Sequence, residues 1–401
     1  MIHSSNYKPA IIPIYVDSPQ AQIDRVQDIT TTTTLNRTKI EEVGRQGIVD
    51  WRKVSPTISV SIKQEEMGNL GFWRQLANKG STVSQINITD FKTSAVDLCG
   101  FMTDDSGTFL GTVFYPSLRL DGFSLNIGDP SALIERTFTL VTEDEYMYEN
   151  NNKYVVLQRS VLAGSGSNQT VTISSPSPVA DPDISGQFLV RVVRITGGVA
   201  TLLTPGTDWS YDGVSTLRIN GATTAGDIIK IWYTAGSYPA GQNIFVNNDT
   251  DLAGISGESV SIYLQSANYL YRLQSVSIDS KFTRQDIKEI GNQDVVSRGV
   301  RDVTNRIVLG RILESYTIEE VLRGVVGQSF GKIDPRNFTS NLSLIVKIFA
   351  DNKKTQFKLG YKFLNLAATS LDAGIPVSDY VKRGVTMECE DGFITTNQAS
   401  L

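Results

Sequence analysis

Histidine is almost absent from this chain of 401 residues: His3 is the only one. Catalytic triads, histidine-dependent acid–base chemistry and His-rich zinc sites are thereby excluded. Cysteine is nearly as scarce. Cys99 and Cys389 have no spacing that resembles a metal knuckle or a redox pair, and they read as buried free thiols. A positive excess is also missing, since 37 Lys and Arg stand against 42 Asp and Glu for a net charge of −5. That balance argues against a surface that grips phosphate backbones, so any contact with nucleic acid is expected to be non-adhesive. No stretch of about 18 consecutive apolar residues exists, and residues 1–10 lack a basic region followed by an apolar core. The expectation is a chain with neither a signal peptide nor a membrane span. No Gly-x-x-x-x-Gly-Lys-Ser/Thr loop occurs, and the glycines at 164 and 166 read as a flexible turn.

What remains for chemistry is thin. Glu143, Asp144 and Glu145 form one acidic cluster and Glu388, Glu390 and Asp391 another, but no acid–base partner accompanies either, and both read as solvated strand ends. The Asn247–Asp251 stretch is oxygen-rich yet lacks the turn glycine and terminal glutamate of a calcium loop. Neither cofactor nor metal nor catalytic residue is expected.

β-Branched and alternating runs dominate: 11–16, 57–63, 94–102, 111–127, 136–141, 188–195, 228–233, 342–350 and 385–390. Turn residues such as Asp104-Asp-Ser-Gly107 and Asp351-Asn352 separate them. Only 68–78, with Leu70, Trp73 and Leu76 at three-residue spacing, and 317–326 read as helices. At about 150 residues per domain the length suits two or three domains.

A duplication organises the chain. Arg25-Val-Gln-Asp-Ile-Thr returns as Arg272-Leu-Gln-Ser-Val-Ser, 247 residues later. The same offset aligns Arg37 with Arg284, Glu42 with Glu289, Gly44 with Gly291, Gln46 with Gln293, Phe91 with Phe338, Phe114 with Tyr361 and Arg136 with Arg383. Two homologous domains are expected, 1–149 and 258–401. The intervening 150–257 has no counterpart and reads as an inserted small β-sandwich, with Trp209 and Trp232 as its core aromatics or, alternatively, as a carbohydrate-stacking pair.

The segment from Arg25 to Val49, the Ser55-Pro56 strand entry, and Asp129-Pro130 followed by Glu135-Arg-Thr-Phe-Thr-Leu140 resemble major tail tube proteins of tailed bacteriophages. The duplication with an insert resembles most the tube proteins of T5-like and Thermus-infecting long-tailed phages. The fold class implied is mainly β: two tail-tube β-sandwich or barrel domains, each with a flanking helix, plus an immunoglobulin-like insert.

The resemblance implies a virion protein, assembled in the host cytoplasm, whose trimeric pseudo-hexameric rings stack into a tube through which DNA passes without specific binding. Its partners would be other copies of itself, the tape-measure protein, and tail terminator and tail-tip proteins, with no membrane. The insert would project outward. By the same analogy the loops 36–54 and 283–303 would lie at subunit or ring contacts. Arg37, Glu42, Arg284 and Glu289 would be inter-subunit ion pairs there, with Gly44, Gln46, Gly291 and Gln293 beside them; a solvated loop is the bland alternative. The competing readings are a receptor- or glycan-binding tail or adhesin protein and, third, a hydrolase using the acidic clusters.

Overall fold

A computed structural model describes residues 7–18, 21–35, 37–40, 50–53, 56–104, 106, 108–239, 253–265, 268–270, 273–287, 297–312, 317–324, 334–374 and 382–401. The protein is mainly β, with two short α-helices among the described residues. The first part contains β1 (Tyr7–Pro13), β2 (Ala21–Gln22), β3 (Val26–Thr34), β4 (Arg37–Ile40), β5 (Asp50–Lys53), β6 (Thr57–Glu65), α1 (Gly71–Leu76), β7 (Gln85–Asn87), β8 (Val96–Thr103), β9 (Phe109–Ile127), β10 (Glu135–Thr142) and β11 (Tyr146–Glu149). In β6 every second residue is buried, as the sequence Thr-Ile-Ser-Val-Ser-Ile dictates for a strand with one face on a core.

The insert follows as β12 (Tyr154–Val161), β13 (Gln169–Thr172), β14 (Leu189–Thr196), β15 (Val199–Leu202), β16 (Trp209–Tyr211), β17 (Thr216–Ile219) and β18 (Ile228–Ala235). Its two sheets, β12-β18-β14-β15 and β13-β17-β16, enclose a core that includes Val192, Trp209, Leu217 and Ile231. Residues 253–257 belong structurally with the first part, because Ile134 N–H donates to the Ile255 carbonyl at 2.8 Å and Ile255 N–H to that of Glu66 at 2.9 Å.

The last part contains β19 (Val260–Leu264), β20 (Asn268–Tyr269), β21 (Leu273–Ile287), β22 (Ser297–Ile312), α2 (Thr317–Leu322), β23 (Leu342–Phe349), β24 (Phe357–Gly374), β25 (Lys382–Cys389) and β26 (Asp391–Thr395). Its elements follow the order of the first part. Ala21 and Asn268, Val26 and Leu273, and Glu135 and Lys382 each open corresponding strands.

Strands from both parts form one antiparallel sheet in the order β3-β6-β10-β9-β21-β22-β25-β24. The seam at its middle is β9 against β21, from Ile127 opposite Val276 to Gly122 opposite Lys281. Two further layers cover it: β2-β1-β8-β9-β11 from the first part, and β20-β19-β23-β24-β26 from the last, the latter extended by β7 of the first. One apolar core runs through both parts. At its centre Trp73 of α1, 0% exposed, lies 4.9 Å from both Phe123 and Phe138 and 6.1 Å from Tyr361. The 68–78 reading is thus realised as a helix that buries Phe72, Trp73 and Leu76.

A separate core joins the insert to the β1-β8-β9 layer, where Ile12, Cys99, Phe101 and Phe114 meet Val155, Leu157 and Trp232. Trp232 therefore belongs to this contact, whereas Trp209 sits inside the insert. Phe114 and Tyr361 also differ from the alignment. Phe114 faces the insert and Tyr361 the main core. The pairing ladders make Val113 the counterpart of Tyr361, since Val113 lies opposite Met147 and Tyr361 opposite Ile394.

Candidate functional site: a polar sheet face and its free edges

Alternation along each strand gives the long sheet one apolar and one polar face. The polar face carries Ser59, Ser61 and Lys63 on β6, Thr137 and Thr139 on β10, and Ser124 and Asn126 on β9. Across the seam it continues with Ser277, Asp279 and Lys281, then Thr304 and Arg306, then Glu388. The ladders align Lys63, Thr137, Ser124, Asp279, Arg306 and Glu388 into one row across the strands. Lys63 also pairs with Glu135 at 2.9 Å. Hydroxyls, with charges of both signs interleaved, offer water and mobile ions a continuous polar surface without a run of cations to hold phosphate.

The sheet ends on two strands with no lateral partner among the described residues, β3 on one side and the Ala367–Gly374 stretch of β24 on the other. Thr30, Thr32, Thr33 and Thr34 are exposed along the first. A third edge without a lateral partner among the described residues is β11, where Tyr146 is 42% and Met147 70% exposed. Its counterpart in the last part, β26, is closed by β7, with Ile394 opposite Ile86 and 0% exposed.

Behind the polar face lies a buried ionic cluster. Arg136 donates through Nη1 to Glu66 at 3.1 Å, both side chains 0% exposed, and through Nε to Gln64 at 3.0 Å. Glu66 accepts also from Gly68 N–H at 2.8 Å and from the Tyr361 hydroxyl at 2.7 Å. Burial and the Glu66 charge push the Tyr361 phenol well above its ordinary range, which keeps it a donor. In the last part Arg311 and Arg383 converge on buried Glu319, Arg383 at 3.2 Å. Such clusters tie neighbouring elements together through buried, charge-assisted hydrogen bonds. The sequence reading missed them, although Gln64 and Arg136 occupy the apolar phase of β6 and β10, where a polar residue signals a partner.

Of the expected interface residues, Arg37 is exposed at the start of β4, opposite Lys53 of β5. Arg284 lies on β21 and donates through Nε to the Leu120 carbonyl at 3.1 Å and through Nη1 to that of Lys92 at 3.5 Å. Those bonds cross from the last part to the first within the chain. Glu42, Gly44, Gln46, Glu289, Gly291 and Gln293 lie outside the described residues, as does Asn247–Asp251. The segments 36–54 and 283–303, read as loops, are strand wherever they are described, β21 pairing with β22 in the last part and β4 with β5 in the first.

Of the two acidic clusters, Glu145 accepts from Tyr115 at 3.1 Å and from Thr33 at 2.9 Å, and Asp391 accepts from Asn365 at 3.5 Å. Among the described residues no group of three or more His, Cys, Asp or Glu is placed to hold a metal ion, and no helix is long and apolar enough to cross a membrane. Trp209 and Trp232 are 7% and 0% exposed, so neither indole offers a face for sugar stacking. No protein-family model matches the chain, and no curated protein matches it.

Proposed function

We propose that this protein is a structural subunit of a virion tail tube, three copies closing into a pseudo-sixfold ring and the rings stacking into a conduit for DNA. The observation that carries the reading is the seam. It joins the last strand of one four-strand set, β9, to the first strand of the next, β21, and leaves the equivalent strands β24 and β3 open at the two ends. Repeating the seam between chains sets β24 of one copy against β3 of the next. Counting from the shared β10 and β25 ladders, Thr34 then faces Ser370, Thr32 faces Asp372 and Thr30 faces Gly374. Long open edges favour association, and a ring removes them.

The number of copies comes from the resemblance to phage tube proteins. Closure with the polar face inward gives a lumen of hydroxyls and balanced charge that lets a polyanion slide. The insert packs on the opposite, β1-β8-β9 side and so lies outside the lumen. Tape-measure, terminator and tail-tip proteins are the further partners of this reading, and the virion is its location. A glycan-binding role draws no support from the two buried indoles.

Averaged electron micrographs of the purified, concentrated protein test the proposal. Hollow tubes with three chains and six similar inner lobes per ring are the expected result. Monomers or compact closed oligomers that persist after a tail-tip initiator is added would overturn it.

A further inference from the structure

The boundary between the two parts of the chain is an interface already built, and it can be compared position by position with the surface the first part leaves open. At the internal boundary Phe282 is 0% exposed and its ring lies 6.1 Å from Phe91. The counterpart of Phe282 is Leu35, 61% exposed just beyond the end of β3. The counterpart of Phe91 is Phe338, half-buried after the 3-10 turn Pro335–Asn337, which matches the 3-10 turn Ile88–Lys92. Arg284 reaches the carbonyls of Leu120 and Lys92, while its counterpart Arg37 projects into solvent. Ile394 is 0% exposed beneath the strand from the other part, and its counterpart Met147 is 70% exposed. Three positions that the internal boundary fills on the last part, Phe282, Arg284 and Ile394, are thus open at the equivalent places on the first.

We propose that Leu35 and Arg37 form the seat for the last part of a second copy of this chain. Leu35 packs on the neighbour's Phe338. Arg37 donates to the neighbour's Ala368 and Thr339 carbonyls, the counterparts of Leu120 and Lys92. The inference rests on the tube reading for its ring, and it assigns the two residues that select and orient the neighbour. An arginine fork on two carbonyl oxygens fixes orientation, and a leucine in an aromatic pocket supplies apolar burial. Leu35 and Met147 have no role within a single copy that calls for exposure of this size.

The test uses the full chain in three forms. Leu35→Asp and Arg37→Met are expected to raise the concentration needed for ring or tube growth by about tenfold or more. Their unassembled chains should keep the wild-type melting temperature, because both side chains are exposed. The third form, Leu35→Cys with Phe338→Cys, is expected to give disulfide-linked chains under mild oxidation, absent from either single cysteine variant. Growth of both substituted proteins at wild-type concentrations, with no cross-link in the third, would overturn this seat while leaving the tube reading intact. Failure of the wild-type protein to form rings, together with absence of the cross-link, would overturn both. A cross-link formed in a wild-type background of compact dimers would keep the seat and remove the tube.

Discussion

The Tyr361 hydroxyl donates to the Glu66 carboxylate at 2.7 Å, from the last part of the chain to the first, with both residues fully buried. Its counterpart in the first part is Val113, which has no hydroxyl, so this bond is peculiar to the internal boundary. Tyr361→Phe is expected to lower stability by about 1.5–3 kcal/mol, the usual worth of a hydrogen bond to a charged group. A urea titration reads the loss as a lower midpoint with an unchanged slope.

Arg136 and Glu66 share that site, and Arg136 also lies 5.5 Å from the Phe138 ring centroid. Removing one ion leaves the other buried without its partner, so Arg136→Met should cost about 3–5 kcal/mol. The double variant Arg136→Met with Glu66→Leu is expected to lose less than the sum of the single changes. A double-mutant cycle in urea measures the difference.

Lys230 is buried between the insert and the first part, donating to the Pro13 carbonyl at 2.6 Å and to that of Val16 at 2.8 Å. Burial pushes its ammonium from 10.5 down to about 8, against the pull of Asp97 and Asp17. The folded chain therefore holds this proton less firmly than the unfolded chain. Stability from this group should rise between about pH 8 and pH 10.5 and be flat below that window. Buried Tyr148 and half-buried Tyr238, whose phenols are raised by desolvation, oppose the rise above about pH 10. Melting temperatures of wild type and Lys230→Met across pH 7 to 10, subtracted, should isolate the slope.

Gly122 sits in the seam, where a β-carbon would lie 2.8 Å from the Ser280 carbonyl oxygen. Gly122→Val is expected to cost about 1–3 kcal/mol by forcing the strands apart. Gly128 has nothing within 4 Å of the same position, and Gly128→Ala should leave the melt nearly unchanged.

The register proposed between chains has its own chemical check. Thr32→Cys with Asp372→Cys places both thiols on the polar face of opposing strands, so oxidation of assembled protein should link neighbouring chains. Thr32→Cys with Leu371→Cys places them on opposite faces and should not.

Local pattern made much of this fold legible. The alternation of Thr57–Glu65 predicts the buried phase of β6, and Leu70, Trp73 and Leu76 predict the apolar face of α1. The pairing of Phe114 with Tyr361 failed for a geometric reason. The turn after β8 is two residues shorter than the one after β23, so β8 and β9 slip by one residue in opposite senses while β10 returns to the common offset. A constant offset in sequence hides such compensating changes. Trp232 was misplaced because strand pattern shows that one face of β18 is apolar but not which of two bodies covers it. Arg284 reads as an ion-pair partner by residue type, yet its described bonds go to carbonyls, which sequence does not display.

Among the described residues the insert packs on the first part, through Trp232, through Arg191 bonded to Asp97 at 2.6 Å, and through Arg159 bonded to Asp17 at 2.6 Å. The two sides of the molecule therefore count differently. A body in contact with the polar sheet meets nearly the same motif twice per chain, whereas one approaching from outside meets a single protruding lobe. In the proposed tube, whatever grips the exterior would match a period twice as long as the one felt within.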